Sequence, residues 1–383
     1  MGSLEELTRQ ARQLAQGGAD IAPEADAARQ LQICNACRYC EGFCGVFPAM
    51  TRRLQFSDAD THFLAHLCHN CGACLHACQY APPHEFAVNI PRAMARVRQR
   101  SYSRYAWPGF MAGFYQRNNL WLALALTVLF ALVLAQAMSS AAPDAHFYTL
   151  LPHNTMVAAF APVFLFAALA LAVALLRYAR DIRRVTTPAQ TDSASAGEAT
   201  HRALTLRYLD GGHGDGCNNA DDRFSHARRH AHHLTFYGFA LCFAATSVAT
   251  LYHYLWGWSA PYDLPSLPKV LGAVGGVMMC VGTLGQLALK LKRHPLQGDP
   301  DQNSTDFGFM ALLLLIAASG LALWAARGST WLPQVLALHL GSVMALFVTL
   351  PYGKMVHGFF RWLALVRHSV EQRQPNALGL GGE

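Results

Sequence analysis

The chain of 383 residues is long enough for two or three domains. Hydrophobic residues make up 53% of it and charged residues only 14%, well below the ~25% of an ordinary soluble domain, which disfavours a wholly soluble protein. The formal net charge of +7 does not indicate nucleic acid, because the basic residues stand at the ends of apolar runs, where they are expected to face a cytoplasmic membrane surface.

The polar segment before Tyr105 is predicted to be all α, because nothing in it alternates like a strand. Serine, aspartate and proline mark the starts of its helices, where capping or a fixed φ is favoured. The predicted helices open at the capping box Ser3–Glu6, at Pro23 (ending at Leu31), at Ser57 or Asp58, and at Pro91.

Two cysteine runs of identical spacing lie in this polar segment. Each reads C-x2-C-x2-C-x3-C, and in two-cluster ferredoxins the fourth cysteine of each run binds the other cluster. We therefore predict two [4Fe-4S] clusters. The predicted ligands are Cys34, Cys37, Cys40 and Cys78 for the first cluster and Cys68, Cys71, Cys74 and Cys44 for the second.

Zinc sites and a disulfide framework are the alternatives. Zinc sites favour C-x2-C pairs and leave half of each run unexplained, while disulfides need an oxidising compartment and Met1–Asp20 lacks a secretory signal. Pro48 and Pro82 stand four residues after Cys44 and Cys78 instead of directly after them. This spacing resembles the helical ferredoxin modules of succinate dehydrogenase and heterodisulfide reductase, and it favours a helical ferredoxin-like fold over the small β-type one.

From Leu120 onward the chain is apolar. Six runs are each near the ~20 residues that cross a hydrocarbon core, and six buried helices almost free of charge would leave a soluble protein no polar surface. We predict a six-helix transmembrane bundle. The runs are Leu120–Ala142, Thr155–Leu176, Leu234–Leu255, Val270–Leu289, Phe307–Ala326 and Leu332–Leu350.

This pattern predicts a cytoplasmic iron-sulfur domain over residues 1–104, an amphipathic connector over 105–118 and a membrane domain over 119–383. Basic residues concentrate in alternate loops, so the positive-inside rule places both termini and the clusters in the cytoplasm of a bacterium, at its inner membrane. A cytoplasmic segment over 177–233 begins with a flexible linker, Thr186–Thr200, that needs no fixed structure.

A glycine-rich loop, Tyr208–His226, follows the linker. It lacks the preceding strand and the lysine of a phosphate-binding loop, so a loop that docks on a partner or contacts quinone is favoured. Cys217 in this loop, like Cys242 and Cys280, is isolated in sequence and needs no role. Possible contacts with quinone or a partner protein are Asp221, Asp222, Arg223, Arg228 and Arg229.

Four histidines stand at the ends of the predicted membrane helices, where an imidazole without a partner is costly. His339 and His357 are 18 residues apart, which is five helical turns and places them on one face. We predict that His253 with His339 at the outer side, and His232 with His357 at the inner side, bind haem b, one or two per chain. Histidines that merely meet water at the helix ends are the alternative.

The chain resembles the tricarballylate utilisation protein B family, also called citrate utilisation protein B, and the C-terminal half of the cobalamin-pathway protein CobZ. The resemblance covers nearly the whole chain. It rests on the paired cysteine runs, Asp215-Gly-Cys217, Asp221–Ser225, Arg228-Arg229, His232-His233, Phe236–Thr246 and the six apolar runs. The membrane half is also similar, more loosely, to the cytochrome b subunit of nitrate reductases.

The family resemblance implies two [4Fe-4S] clusters, haem b and reoxidation of the reduced FAD of a partner tricarballylate dehydrogenase, with quinone as the electron acceptor. The chain itself has no G-x-G-x-x-G after a strand, so the flavin belongs to another polypeptide. We therefore expect a membrane-bound electron-transfer subunit rather than a stand-alone enzyme. A heterodisulfide-reductase-like membrane reductase and a redox sensor or anchor without steady turnover are the other hypotheses.

Overall fold

A computed structural model describes residue 5, residues 21–138, 147–184 and 192–376, and residue 378. Most of the helix predicted from Ser3–Glu6, the end of the first apolar run after Met138 and the first part of the predicted linker lie outside this description.

The regular secondary structure of the described residues is nearly all α-helical, as predicted. The head, which we define as residues 21–104, contains α1 (Pro23–Cys37), α2 (Val46–Met50), α3 (Asp58–Leu67), α4 (Ala73–His76) and α5 (Ile90–Arg104). The remaining helices are α6 (Gly109–Met138), α7 (Phe147–Leu150), α8 (His153–Arg184), α9 (Ser193–Leu204), α10 (Ala227–Trp256), α11 (Leu267–Leu291), α12 (Asn303–Ala325), α13 (Leu332–Thr349) and α14 (His357–Gln372).

Local capping explains where the head helices begin and end. The Ser57 hydroxyl accepts a hydrogen bond from the Asp60 amide at 3.2 Å, and the Asp60 carboxylate accepts one from the Ser57 amide at 3.0 Å, a capping box that opens α3. Helix α1 continues to Cys37 instead of ending at the predicted Leu31, so it carries two cysteines. It ends at Arg38, which adopts a left-handed φ of 57°.

Among the described residues, six helices are long and apolar enough to cross a membrane, as the sequence predicted. They are α6, α8, α10, α11, α12 with the short 3-10 turn before it, and α13. Large apolar side chains face outward along them; Leu132 and Leu165, for example, are each 64% exposed. Such a surface fits a multi-pass membrane protein, because lipid and not water can cover it. Helix α6 has a kink at Asn119, directly before the first predicted apolar run.

Close backbone contact holds α10 against α11. At Gly275 of α11 an added Cβ would lie 2.8 Å from the Gly238 carbonyl oxygen, and at Gly282 it would lie 2.5 Å from the Thr235 amide nitrogen. Small residues at such positions let two helices approach closely enough for van der Waals packing, which is what drives helix association in lipid. Helix α13 lies inside the bundle and packs on α6, α8 and α12.

The segment between α8 and α10 corrects two predictions. Part of the predicted flexible linker forms α9, opened by the Asp192 carboxylate, which accepts a hydrogen bond from the Ser195 amide at 2.8 Å. Arg202 of α9 donates to the Gln372 side chain at 2.7 Å, so α9 packs on α14. Two antiparallel strands, β1 (Cys217–Asn218) and β2 (Phe224–Ser225), make the protein nearly all α and not purely so.

A buried ion network fixes α14 to the head. The Arg53 guanidinium lies 2.5 Å from the Asp60 carboxylate and 2.6 Å from that of Glu371, which also pairs with Arg367 at 3.1 Å. Arg53, Asp60 and Glu371 are all buried. A buried guanidinium that pairs with two carboxylates, and also donates to the Ala49 carbonyl oxygen at 2.6 Å, has its charge compensated.

We expect Arg53→Gln to destabilise the protein by about 3 to 5 kcal/mol, because it leaves two buried carboxylates without their shared cation. Thermal unfolding of the detergent-solubilised protein measures the effect. Arg104→Gln is the control, since Arg104 pairs with Asp58 in an exposed position and its loss should cost about 1 kcal/mol or less. Equal unfolding midpoints for the two variants would contradict this role of Arg53.

Candidate functional site: two thiol groups and a histidine pair

The first thiol group, Cys34, Cys37, Cys40 and Cys78, lines one cavity of about 280 Å³. Three of these cysteines come from α1 and the turn that follows it, and Cys78 comes from the second run, just after α4. All four are half-buried, and Tyr39 beside them is 69% exposed. The cavity therefore lies near the protein surface.

The second thiol group is Cys44, Cys68, Cys71 and Cys74. Burial is the main cause that raises the pKa of Cys44 and of Cys74, and the neighbouring thiols Cys71 and Cys68 come next. In the first group, burial followed by Cys40, Cys78 and Cys37 raises the pKa of Cys34. Cys78 thus lies among thiols of the first run, and Cys44 among thiols of the second.

The chemistry of these donors fits clusters of iron. Clustered buried thiols repel one another's negative charge and stay protonated by themselves, whereas bound metal removes their protons. Within the described ranges, no three His, Cys, Asp or Glu side chains surround the position of a single metal ion. A [4Fe-4S] cluster instead spreads its four thiolates over several irons.

The glycine-rich loop covers the second thiol group. Gly212 has φ of +89°, and a Cβ there would lie 1.9 Å from the Phe43 carbonyl oxygen. The His213 ring packs edge-on against Phe43, with ring centroids 4.7 Å apart. Only glycine fits this contact, because a side chain would collide with the backbone beside Cys44.

Cys217 is not isolated, contrary to the sequence analysis. Its side chain is fully buried and packs with Cys71 and Ala73. A hydrogen bond with the Cys217 thiol is the main cause that lowers the pKa of Cys71. Sequence spacing could not reveal this contact, because the two cysteines meet only when the loop folds back over the head.

The five residues predicted to contact quinone or a partner fall into two sets. Asp221, Asp222 and Arg223 are exposed on the loop, and Asp222 accepts a hydrogen bond from His76 Nδ1 at 2.8 Å. Arg228 and Arg229 point inward instead. Arg228 donates to the Asn70 carbonyl oxygen at 2.5 Å, and Arg229 donates to that of Thr205 at 2.9 Å. These two arginines hold the loop in place.

The structure brings together the inner histidines. The rings of His232 and His357 have centroids 6.0 Å apart and an interplanar angle of 74°. His357 Nδ1 donates to the Lys354 carbonyl oxygen at 2.6 Å, which leaves Nε2 as the free acceptor. His232 Nδ1 is buried and makes no hydrogen bond within the described part of the chain.

The outer histidines have other neighbours. His253 stacks on His153, with ring centroids 3.8 Å apart, and His153 also bonds the Tyr254 hydroxyl at 3.1 Å. His339 Nδ1 lies 3.0 Å from the Ser319 hydroxyl oxygen. His153 was not singled out from the sequence, although its place at the start of an apolar run could have marked it.

Arg361 and Arg98 were also missed as site residues. In the sequence, Arg361 reads only as a basic residue flanking an apolar run, and Arg98 as one of several arginines in the basic helix that opens at Pro91. Arg361 donates to the Cys68 carbonyl oxygen at 2.6 Å, to that of His66 at 3.1 Å, and to His69 Nδ1 at 3.2 Å. Arg98 donates to the same Cys68 oxygen at 2.9 Å. Both guanidiniums therefore lie at the second thiol group.

A ferredoxin-like head on six long apolar helices defines the class: a multi-pass membrane protein with an iron-sulfur type of domain. Residues 27–104 match the family model "Citrate utilization protein B Fer4-like domain", and residues 115–378 match the model "Citrate utilization protein B". The chain belongs to the citrate utilization protein B family, as its motifs predicted. It is 49% identical over 389 residues to Citrate utilization protein B of Escherichia coli, covering 100% of both chains. No solved structure matches it.

We expect Gly212→Ala to lift the loop from the head, because the new methyl group collides with the Phe43 carbonyl. Cys217 should then react with N-ethylmaleimide in the purified protein, as mapped by peptide mass spectrometry. Gly214→Ala is the matched control, with a similar φ of +86° but no atom within 4 Å of the added Cβ. Equal protection of Cys217 in both variants would show that the loop does not depend on this contact.

Proposed function

We propose that this chain carries electrons from the reduced FAD of a partner dehydrogenase, of the tricarballylate dehydrogenase type, to membrane quinone. The two thiol groups would hold two [4Fe-4S] clusters, and a histidine pair would hold haem b. Membership in the citrate utilization protein B family and the match to a Fer4-like domain support an iron-sulfur electron-transfer role. The flavin is assigned to a separate polypeptide, so the chain acts as an electron-transfer subunit.

The first thiol group is proposed as the entry point. Its four cysteines are half-buried, and Tyr39, which lines the same cavity, is largely exposed and can meet a partner protein. Electron transfer from a flavoprotein needs a cluster close to the docking surface, whereas Cys68 and Cys71 of the second group are buried. Two clusters accept the two electrons of a reduced flavin in single steps.

Transfer between the two groups is supported by their proximity. Burial raises the pKa of Cys40 to about 12, and the neighbouring charges that add to it include Cys71 of the second group as well as Cys78 and Cys37 of the first. Each of these groups also contains a cysteine from the run of the other. The chain between Cys40 and Cys44 therefore spans directly from one group to the next.

The inner histidine pair is the haem site that the geometry favours. Two imidazole nitrogens that each lie about 2 Å from one metal place the ring centroids roughly 6 Å apart. His232 and His357 have this separation, and the Lys354 carbonyl fixes the tautomer of His357. Stacking of His253 on His153 leaves no such gap at the outer end, so a second haem with His253 and His339 has less support.

The head is proposed to lie in the bacterial cytoplasm at the inner membrane, with both termini on that side. Basic residues gather at the helix ends that meet the head: Arg177 donates to the Ala106 carbonyl oxygen at 2.8 Å, and Lys290 pairs with Asp306 at 2.6 Å. The positive-inside rule assigns such an end to the cytoplasm. We keep the proposed domain limits of residues 1–104, 105–118 and 119–383, with a cytoplasmic segment over 177–233.

The observation that carries this proposal is that one helix connects the second thiol group to the histidine pair. Arg361 of α14 donates to the Cys68 carbonyl oxygen, and the same helix begins with His357, whose ring contacts His232. Reduced-minus-oxidised optical spectra and electron paramagnetic resonance of the purified protein test it. We expect signals from two [4Fe-4S] clusters and a b-type haem. Purified, folded protein that contains neither clusters nor haem would contradict the proposal.

We expect Cys78→Ser to remove the cluster of the first thiol group, because Cys78 lies in its cavity although it belongs to the second cysteine run. Electron paramagnetic resonance of the reduced protein measures this loss. Cys37→Ser should remove the same signal and Cys71→Ser the other one. If Cys78→Ser removed the signal that Cys71→Ser removes, the crossed assignment would be wrong.

We expect His357→Ala and His232→Ala each to lose the haem bound by this pair, because one axial nitrogen disappears. The pyridine haemochrome assay gives the haem content per chain. His201→Ala is the control, since His201 is exposed on α9. Unchanged haem content and an unchanged reduced-minus-oxidised spectrum in both variants would exclude this pair.

A further inference from the structure

Two guanidinium groups converge on one backbone oxygen beside the second thiol group. Arg98 Nη1 donates to the Cys68 carbonyl oxygen at 2.9 Å, and Arg361 Nη2 donates to it at 2.6 Å. Each is anchored by a further carbonyl, Ala65 for Arg98 at 2.9 Å and His66 for Arg361 at 3.1 Å. Arg98 is buried, and Arg361 is partly buried.

Neither guanidinium forms an ion pair with a carboxylate in the part of the chain that the structure describes. Other arginines of α5 do: Arg96 lies 3.6 Å from Asp299, and Arg100 lies 3.2 Å from Glu24. Burial lowers the pKa of Arg361 to about 10, and the charge of Arg98 is the next cause. A buried cation beside a second, partly buried one is costly unless an anionic group lies nearby.

The second thiol group would supply that anion. Each thiolate that binds iron brings a negative charge, and reduction of the cluster adds one more. Cys68 is itself one of the proposed ligands, and its Sγ accepts a hydrogen bond from the Asn70 amide at 3.3 Å. In a water-poor environment, cations that bond the backbone of a cluster ligand favour the more negative, reduced state of that cluster.

The first thiol group has a different electrostatic environment. One arginine, Arg38, lines its cavity, but it is partly exposed and its Nε donates to the Asn35 carbonyl oxygen at 3.1 Å. Water screens a partly exposed charge far better than a buried one. The second group therefore has two guanidiniums beside it instead of one, and one of the two, Arg98, is buried and less screened.

We propose that Arg98 and Arg361 make the cluster of Cys44, Cys68, Cys71 and Cys74 the more easily reduced of the two clusters, and thereby set the direction of electron flow. With clusters bound, one electron would pass from the first thiol group's cluster, which would be oxidised, to that held by Cys44, Cys68, Cys71 and Cys74, which would be reduced, and no proton would move. This inference rests on the proposed function, because it requires clusters at both groups.

Arg361 also lies between the second thiol group and the inner histidine pair. Arg361 Nη1 donates to His69 Nδ1 at 3.2 Å, and Arg361 lies four residues, about one turn, after His357 in α14. Arg361 is therefore close to both the second thiol group and the inner histidine pair. An electron on the second cluster is thus next to its proposed acceptor.

Redox titration of the purified full-length protein, followed by electron paramagnetic resonance, tests the proposal. In the wild type, the cluster that survives Cys78→Ser should have the higher midpoint potential. Arg98→Gln and Arg361→Gln should each lower that potential and leave the other cluster unchanged, whereas Arg361→Lys, which keeps the charge, should lower it less. Arg100→Gln is the control: it removes one charge from the same helix at an exposed position and should shift neither potential.

Several results would overturn the inference. One is a wild-type protein in which the cluster surviving Cys78→Ser has the lower potential; this comparison needs no arginine variant and holds even if those variants fail to fold. Unchanged potentials in both glutamine variants, with both clusters present, are another. In either case the clusters are bound and the proposed function stands, whereas a wild-type protein without clusters would refute the proposed function itself.

Discussion

Arg361 is the point at which the two halves of the molecule meet. Its guanidinium bonds the carbonyls of His66 and Cys68 at the end of α3 and the ring of His69, while its own helix, α14, begins with His357. One side chain thus ties the turn of the second cysteine run to the helix whose first residue, His357, contacts His232 of α10. The distance between a proposed cluster and the inner histidine pair is set by this contact.

The remaining contacts around the head serve the same constraint. Arg53 joins α3 to α14 by buried ion pairs, α9 packs on α14, and the glycine-rich loop closes over Cys71 from the other side. Electron transfer depends on fixed short distances between redox groups. A rigid junction between the head and α14 keeps such distances fixed, and this offsets the desolvation cost of the buried charges. The six apolar helices supply the other part of the constraint, because lipid requires each backbone polar group to bond within its helix.

Much of this arrangement could be predicted from sequence. The spacing of Cys34 to Cys44 and of Cys68 to Cys78 predicted two thiol groups, run length predicted six apolar helices, and Ser57 predicted the start of α3. The five-turn spacing of His339 and His357 assumed one continuous helix, and this was wrong, because α13 ends at Thr349 and His357 begins α14. Spacing also could not tell which histidines lie together, since that depends on how helices pack. Cys217, Arg98 and Arg361 act through contacts between residues far apart in the chain, and neither spacing nor composition carries that information. The prediction of a flexible linker was wrong at α9. Small and polar residues form a helix there, because Asp192 caps it and α14 packs against it.

The most direct test of the central claim is an anaerobic optical and electron paramagnetic resonance experiment on one sample of the purified protein. A reduced flavoprotein dehydrogenase is added first and a short-chain quinone second. We expect the first addition to reduce both clusters and then a b-type haem, and the second to reoxidise all three. Clusters that the flavoprotein leaves oxidised, or that quinone reoxidises in protein without any b-type haem, would contradict the pathway from the thiol groups through His232 and His357.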